Sequence, residues 1–376
     1  MKVAICGLEG LGVGDYSAPS ILNAEMGANV GNLLFWNAVR SLFKEDYEYL
    51  KKPGREWLWA KGVSNSFDLM VCPMANHLDV QILKPGYVNY LAQVNLPLLI
   101  LGLGTQLASN SELSHKISEC MSHTHFRDFI AILNEKAPVI CMRGKTSAEF
   151  LSAVKYKGRI EVTGCPSQSL SSISNLGEVI ASRLENLSEM SVNGDTLVVQ
   201  HCLPQRYDTH LLASVSKVKA LFEGHTLLEV QQSGTVDDFR QYQDVAAMNF
   251  DENDDKRSTS EVMMFFNLEC WCSYLRKANF SIGTRIHGNI LATQLGLPSL
   301  LISHDERVRE LANQLLMPFV DIHQFEKIGS VKELLSELKF DGKLFDDRRK
   351  DNLKKIKAAI ETVGLTPSDK LNRISD

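Results

Sequence analysis

An arginine and a histidine lie two residues apart, directly after an apolar strand pattern and directly before an apolar helix pattern. The strand pattern covers residues 279–283, Arg285 and His287 follow it, and helical spacing begins after Gly288. A strand-to-helix turn presents backbone N–H groups and the positive end of the helix dipole, which favour a phosphate or carboxylate. Arginine adds a permanent guanidinium fork, and histidine adds a proton donor near neutral pH. We therefore predict an anion site in which Arg285 and His287 are catalytic.

A further arginine follows an apolar strand pattern in the first half of the chain. Arg143 comes after residues 139–142 and before a helix predicted from Thr146, so its side chain can reach the ligand edge of a sheet. The alternative is a surface arginine paired with Glu149 or another acid. For His287 the alternative is a buried ring that caps its helix or binds a carbonyl.

Other polar and glycine-rich segments also stand at predicted strand ends, where open parallel sheets bind their ligands. With Arg143, the substrate-binding candidates are Gly288, Asn289, Asn32, Gly31, Gly104, Gln106, Ser167, His201 and His304. Gly104 permits close backbone approach by a ligand or only turns the chain. His201 and His304 either line the cleft or stay outside it. The glycines near the start of the chain fail the Gly-x-Gly-x-x-Gly spacing, so a dinucleotide site is not predicted.

Short apolar runs alternate with helical patterns along the chain, which is typical of parallel sheets covered by helices on both faces. Helices are predicted at 31–43, 113–133, 146–154 and 353–363, and Asp305 is expected to cap a helix that starts near Arg307. Strands are predicted at 2–7, 68–73, 97–104, 138–144, 159–164, 196–201, 225–230, 279–283, 299–303 and 319–323.

The length of 376 residues and the hydrophobic content of 44% predict two domains of ordinary size. Turn residues after a helical stretch at 171–193 mark the boundary. We predict a first lobe at 1–185, a second lobe at 186–345, and a terminal helical segment at 346–376 that can pack back on the first lobe. A polar segment at 249–261 is expected to be a solvated loop that leads into a helix.

Composition argues against several classes of protein. Lys and Arg number 40 against 45 for Asp and Glu, and no long basic run occurs, so nucleic acid is not an expected partner. No run of about 18 apolar residues is present, and the first residues are typical of a buried strand, so we expect a cytoplasmic protein without a signal peptide. The 8 cysteines are scattered and include no Cys-x-x-Cys pair, so neither a metal site nor a disulfide framework is predicted.

At these motifs the chain resembles the polysaccharide pyruvyl transferase family, which carries an Arg-x-His-Gly run, a helix, a Gly-x-Pro and a strand. The corresponding residues are Arg285-Ile-His287-Gly288, Gly296-Leu-Pro298 and the strand pattern at 299–303. Segments 139–147, 162–167 and 307–312 agree in the same order. The resemblance covers roughly residues 29–316 and implies an α/β fold of two Rossmann-like lobes, with parallel sheets facing across a cleft, as in glycosyltransferase B enzymes.

The resemblance implies transfer of the pyruvyl group of phosphoenolpyruvate to two hydroxyls of a sugar, with formation of a cyclic ketal and release of phosphate. Phosphoenolpyruvate is the donor and no cofactor is expected. The implied acceptor is a sugar or lipid-linked oligosaccharide of exopolysaccharide or other cell-surface polysaccharide synthesis, which allows a peripheral place at the membrane. Arg143 and Arg285 would bind the donor, and His287 would transfer a proton. Asn32 stands where the family commonly has aspartate, so it can cap a helix but cannot take a proton.

Two other functions remain open at this point. A nucleotide-sugar glycosyltransferase or epimerase of the same two-lobed fold could hold a diphosphate with Arg285 and the helix start at 287–289, since fold does not determine function. A non-catalytic relative would bind glycans without releasing phosphate.

Overall fold

The fold consists of two parallel sheets, each covered by helices, in a computed structural model that describes residues 1–6, 29–50, 66–107, 109–190, 197–202, 209–233 and 262–376. The first sheet contains β1 (Lys2–Cys6), β2 (Asp46–Leu50), β3 (Leu69–Pro73), β4 (Leu98–Leu103), β5 (Val139–Met142) and β6 (Arg159–Val162), in the order β2-β1-β3-β4-β5-β6. The helices that follow in this half are α1 (Asn32–Arg40), α2 (Pro85–Gln93), α3 (Leu113–Ser122), α4 (Thr124–Lys136), α5 (Lys145–Ala153) and α6 (Leu176–Met190).

The second sheet has the same architecture. Its strands are β7 (Leu197–Cys202), β8 (Thr226–Gln231), β9 (Val262–Met263), β10 (Phe280–Gly283), β11 (Ser299–Ser303) and β12 (Phe319–Asp321), in the order β12-β11-β10-β7-β8-β9. The helices are α7 (Thr209–Leu221), α8 (Leu268–Leu275), α9 (Ile286–Gln294), α10 (Glu306–Leu315), α11 (Ile322–Phe325), α12 (Val331–Ser336), α13 (Gly342–Thr362) and α14 (Asp369–Ser375). The predicted α/β fold of two lobes with parallel sheets is confirmed.

The central strands of the first sheet are apolar on both faces because helices cover both sides. All residues of β3, β4 and β5 are buried. The edge strand β2 has the sequence Asp-Tyr-Glu-Tyr-Leu and is exposed or half-buried throughout. Its alternating acids resemble a solvated segment, and for this reason the sequence patterns did not predict it.

Three of the predicted elements have bounds that differ clearly from the structure. The helix predicted at 113–133 is two helices, because His123 adopts an extended conformation between α3 and α4. The strand predicted at 319–323 ends at Asp321, whose side chain accepts a hydrogen bond from the backbone N–H of His323 and so begins α11. The last long helix begins at Gly342, well before the predicted 353. The polar segment 249–261 lies outside the described residues, and strand β9 follows it directly where the prediction had a helix.

The terminal segment of the chain packs on the first sheet. On α13, Leu353, Ile356 and Ile360 lie in one buried cluster with β1 and β5, to which α14 also contributes. We call β1–β6 with α1–α5, α13 and α14 the first lobe, and β7–β12 with α7–α12 the second lobe. The helix α6 connects them, since its Leu187 packs in the core of the second lobe. Among the described helices, none has the length and apolar character needed to cross a bilayer.

Each sheet has a point where the order of the strands reverses, and such points form ligand crevices. In the first sheet it lies between β1 and β3, since the chain passes from β1 to β2 on one side and returns to β3 on the other. In the second sheet it lies between β7 and β10. The segment that carries Arg285 and His287 follows β10, so this topology places both residues at the crevice of the second lobe.

A buried arginine, Arg349, joins the last long helix, α13, by hydrogen bonds to the segment that leads from the first lobe to the second. Arg349 on α13 donates to three backbone carbonyls: from Nε to Gln168 at 2.9 Å, from Nη2 to Ser171 at 2.7 Å, and from Nη1 to Ile173 at 2.6 Å. Burial lowers the pKa of Arg349 to about 10, so it remains charged at neutral pH.

Replacing Arg349 with methionine is expected to lower the free energy of unfolding by about 3 kcal/mol, because two buried carbonyls and one partly buried carbonyl lose their donor. Urea unfolding followed by circular dichroism measures the change. The control is Arg348→Met on the half-buried neighbouring position, which should change stability by less than about 1 kcal/mol. Equal stability of the two variants would show that the three hydrogen bonds contribute little.

Candidate active site

A cavity of about 270 Å³ lies between the lobes, at the carboxyl ends of both sheets. Its arginines are Arg143 from the first lobe with Arg285 and Arg307 from the second, and His287 of the second lobe lies among them. The other lining residues are Asn29, Asn32, Ala75, Asn76, His77, Ile82, Gln232, Thr284, Ile286, Val308 and Leu311. Among the described residues that line the cavity, none is acidic. The walls therefore carry positive charge from both lobes around one enclosed space.

Gly283 at the end of β10 and Gly288 in the first turn of α9 both have to be glycine, because His201 packs against them. Gly283 has φ +146, and a Cβ there would lie 2.3 Å from the carbonyl oxygen of His201. A Cβ on Gly288 would lie 2.3 Å from Nδ1 of the same imidazole. A glycine is therefore needed at position 288 because the start of α9 packs directly on this ring. Gly288 does not itself line the cavity.

The amino terminus of α9 is partly occupied by a side chain of the protein. The backbone N–H of Gly288 donates to Oε1 of Gln232 at 2.7 Å, so it is not available to an anion. The Nε2 of Gln232 donates to Oδ1 of Asn29, which also accepts from the backbone N–H of Gly31. Gln232 thus joins the helix start of the second lobe to that of α1 in the first. Side chains, more than free backbone N–H groups, form the positive part of the cavity.

The start of α1 differs from the prediction that Asn32 caps this helix. The cap residue is Gly31, with no side-chain cap hydrogen bond, and Asn32 is the first residue of the helix. A Cβ on Gly31 would lie 2.5 Å from Nε2 of Gln232, so the glycine admits that amide. Asn32 itself lines the cavity, where its amide can contact a ligand.

Arg143 is buried beside the cavity and is held by the first lobe. Its Nε donates to the carbonyl oxygen of Gly102 at 2.9 Å, and its guanidinium lies 5.7 Å from the centre of the Phe35 ring. Gly104 packs against its side chain, since a Cβ there would lie 3.1 Å from Cδ of Arg143. Nη2 is buried and has no hydrogen-bond partner among the described residues. The alternative of a surface arginine paired with Glu149 is therefore wrong.

Two arginines of the second lobe face the same cavity. Arg285, the cap residue of α9, donates from Nη2 to Oγ of Ser233 at 2.5 Å. Arg307 lies in the first turn of α10, and its Nη2 is 3.2 Å from Oδ2 of Asp305. As predicted, Asp305 caps α10, since its Oδ1 accepts from the backbone N–H of Val308. Arg307 was not predicted as a site residue, although its position in the first turn of the helix that follows β11 was the available signal.

His287 lies buried among three arginines. Burial lowers its pKa well below the ordinary value, and the positive charges of Arg143, Arg285 and Arg307 lower it further. Its Nε2 is buried and has no hydrogen-bond partner among the described residues. The expectation of a proton donor near neutral pH is therefore wrong for the protein without a bound anion, because burial disfavours the imidazolium and three nearby cations disfavour it further. An anion bound among these arginines would offset their contribution and so raise the pKa of His287.

Three candidates from the sequence are buried away from the cavity. The side chain of Asn289 accepts from Ser281 and Ser299 and donates to two backbone carbonyls, so it fixes the β10–α9 turn. Ser167 is fully buried, with Oγ 3.0 Å from Sγ of Cys165. His201 is fully buried, with its ring edge-on to Trp271, and burial lowers its pKa to about 3. These residues therefore lie outside the cavity and contribute to the packing around it.

Two further candidates lie beside the cavity without lining it. His304 is largely buried, with Nε2 3.5 Å from Oδ2 of Asp305, and burial lowers its pKa. Gln106 is exposed, and its Oε1 is 3.4 Å from Nδ2 of the lining residue Asn76. The structure therefore brings Arg143, Arg285, His287 and Asn32 together from the predicted set, and adds Arg307 and Gln232 to them.

The sequence and fold were compared with known proteins. The family model for polysaccharide pyruvyl transferase matches residues 88–306. No functionally curated protein gave a significant sequence match. Similar solved structures include Anabaena Alr3699/HepE in complex with UDP and glucose, at 13% identity and a TM-score of 0.45, covering 96% of this chain and 99% of that one. Others are Staphylococcus aureus MnaA with UDP (11%, TM-score 0.47, covering 98% and 99%) and Methanocaldococcus jannaschii UDP-GlcNAc 2-epimerase (10%, TM-score 0.48, covering 97% and 100%).

Proposed function

The chain belongs to the polysaccharide pyruvyl transferase family, and we propose that it transfers the pyruvyl group of phosphoenolpyruvate to two hydroxyls of a sugar. The acceptor in this proposal belongs to a cell-surface polysaccharide or its precursor. One observation carries the assignment of the donor: guanidinium groups from both lobes line one cavity together with the neutral imidazole of His287. The proposal includes no cofactor.

The charges of the cavity suit this donor. Phosphoenolpyruvate carries a phosphate and a carboxylate on the same carbon atom, C2, and both groups accept bidentate hydrogen bonds from arginine. Arg143 approaches from the first lobe, whereas Arg285 and Arg307 approach from the second. Each charge-assisted hydrogen bond in a sheltered site contributes about 1.5–3 kcal/mol. A small polyanion would therefore bind between the lobes and hold them together.

The reaction balances without an additional reactant. One acceptor hydroxyl forms a C–O bond to C2 of the donor, and a proton is added to C3, so that the methylene becomes a methyl group. The C2–O bond to phosphate then breaks, and the second hydroxyl forms the other C–O bond of the ketal. Of the two hydroxyl protons, one is on the new methyl group and the other leaves with phosphate.

His287 is the proposed proton carrier. In the empty site it is neutral and can accept a proton, since burial and three arginines keep its pKa low. A bound donor offsets those charges and raises the pKa, so the imidazole can gain a proton and pass it on at the reacting atoms. A neighbouring polyanion thus makes both protonation states accessible during one reaction cycle.

The direct test is incubation with phosphoenolpyruvate and a panel of sugar acceptors, with phosphate release and product mass as readouts. The proposal predicts phosphate release that depends on one class of acceptor, together with a pyruvylated product. Binding of a uridine or guanosine nucleotide without any response to phosphoenolpyruvate would favour a nucleotide-sugar enzyme instead. Glycan binding without phosphate release would indicate a non-catalytic relative.

Donor binding is expected to be accompanied by proton uptake at His287. Because the low pKa of the empty site rises when an anion offsets the arginines, binding near neutral pH should take up a fraction of a proton. Calorimetry in buffers of different ionisation enthalpy measures this quantity. The donor phosphate itself releases protons on binding, so the informative value is the difference between the protein and its His287→Ala variant. Identical values for both proteins would contradict the role of His287.

A further inference from the structure

A carboxylate of the second lobe caps a helix of the first lobe next to the cavity. Glu310 on α10 accepts from the backbone N–H of Ser147 at 2.9 Å through Oε1 and from Oγ of Ser147 at 2.9 Å through Oε2. The residue before α5 is a glycine that makes room for it, since a Cβ on Gly144 would lie 2.2 Å from Cγ of Glu310. The amino terminus of α5 is thus satisfied from the opposite lobe, and its dipole favours the negative charge.

Ser147 connects this cap to the loop that holds Arg143. Its Oγ also accepts from the backbone N–H of Thr105 at 3.2 Å. Thr105 follows Gly104, which packs on Cδ of Arg143, and the carbonyl of Gly102 near the end of β4 accepts from Nε of Arg143. One serine therefore joins Glu310 to the backbone segment against which the arginine lies.

Glu310 is also one helical turn from a second arginine of the cavity. Arg307 and Glu310 are three residues apart on α10, so their side chains project from one face of the helix. Arg307 points into the cavity, whereas Glu310 reaches past it to α5. The contact between Glu310 and Ser147 therefore links the position of Arg307 in the second lobe to that of Arg143 in the first.

We propose that Glu310 is a positioning residue that, by capping α5, sets the separation of Arg143 and Arg307 for a bound donor. The inference rests on the proposed function, because it treats the two arginines as donor ligands. Glu310 does not line the cavity and touches no reacting atom. Loss of Glu310 should therefore lower the affinity for the donor by displacing Arg143. Glutamine, a neutral side chain of the same shape, should preserve most of that affinity.

Calorimetric titration with phosphoenolpyruvate, and separately with inorganic phosphate, tests this role in the full chain. Glu310→Ala is expected to weaken binding about tenfold, because α5 loses its cap and Arg143 its fixed position. Glu310→Gln is expected to stay within about threefold of the original protein, since its amide can still bind Ser147. The matched control is Glu306→Ala on the same helix, which pairs with Arg309 and should change binding less than about twofold.

A double-mutant cycle separates positioning from general damage to the fold. In an Arg143→Met background, weak binding is followed by ligand-observed NMR. There, Glu310→Ala should weaken donor binding less than about threefold, because the arginine that Glu310 positions is absent. An equal loss in both backgrounds would overturn the inference, as would unchanged binding by Glu310→Ala. Binding of phosphate without binding of phosphoenolpyruvate would refute the proposed function, and the phosphate titrations would still decide the role of Glu310. Failure of both ligands to bind would overturn both.

Discussion

Replacing His287 with alanine is expected to reduce the rate of phosphate release by about 10²- to 10⁴-fold, the range typical of a lost proton carrier. Binding of phosphoenolpyruvate should stay within about tenfold, because the arginines remain and the neutral imidazole contributes no charge to the empty site. Steady-state kinetics of phosphate release, combined with a calorimetric titration of the donor, separate the two effects.

The control for this variant is His323→Ala, which removes an exposed histidine of the second lobe. Its turnover should equal that of the unchanged protein within about twofold. Normal turnover by His287→Ala would refute the assigned role. Loss of donor binding and of turnover by the same factor would instead make His287 a ligand for the donor.

Replacing Arg143 with methionine should weaken donor binding about 100-fold or more while making the protein more stable. The loss follows from removing a charged fork that approaches the donor from the first lobe. The gain, about 1 kcal/mol in the free energy of unfolding, follows from removing a buried cation that lies near other arginines. Burial lowers the pKa of Arg143 and the charge of Arg307 lowers it further, whereas Glu310 offsets part of this change, so the folded protein is destabilised by a charge that it keeps.

Calorimetric titration and urea unfolding on the same preparations measure the two changes. The control is Arg276→Met, an exposed arginine outside this cavity, which should alter neither quantity appreciably. A gain in stability with a loss of binding is expected of a residue kept for function. A variant that loses both binding and stability would indicate that Arg143 mainly supports the fold.

The fold was predictable from sequence where elements are covered on both faces. Strands such as Leu98–Leu103 and Ser299–Ser303 are continuous apolar runs, and such runs have few other stable placements. The edge strand Asp46–Leu50 could not be recognised, because its polar alternation also fits a solvated segment. The break at His123 depends on a single extended residue within a continuous helical pattern.

Within the site, the predictable residues were those close together in sequence. Arg285 and His287 belong to one strand-to-helix turn, which local patterns can identify. Contacts between distant segments gave no such signal: Gln232 binds the N–H of Gly288 from 56 positions away, and Glu310 reaches Ser147 over 163. The low pKa of His287 could not be predicted from sequence either, because it depends on burial and on arginines from three separate segments.

The most direct test of the account is calorimetric titration of the unchanged protein with phosphoenolpyruvate at several salt concentrations, with UDP titrated under the same conditions. If three arginines and a histidine form a donor site between the lobes, phosphoenolpyruvate should bind at one site per chain. Its affinity should fall as salt is raised, because charged groups supply most of the binding energy. Saturable binding of UDP with no response to phosphoenolpyruvate at any salt concentration would contradict the account.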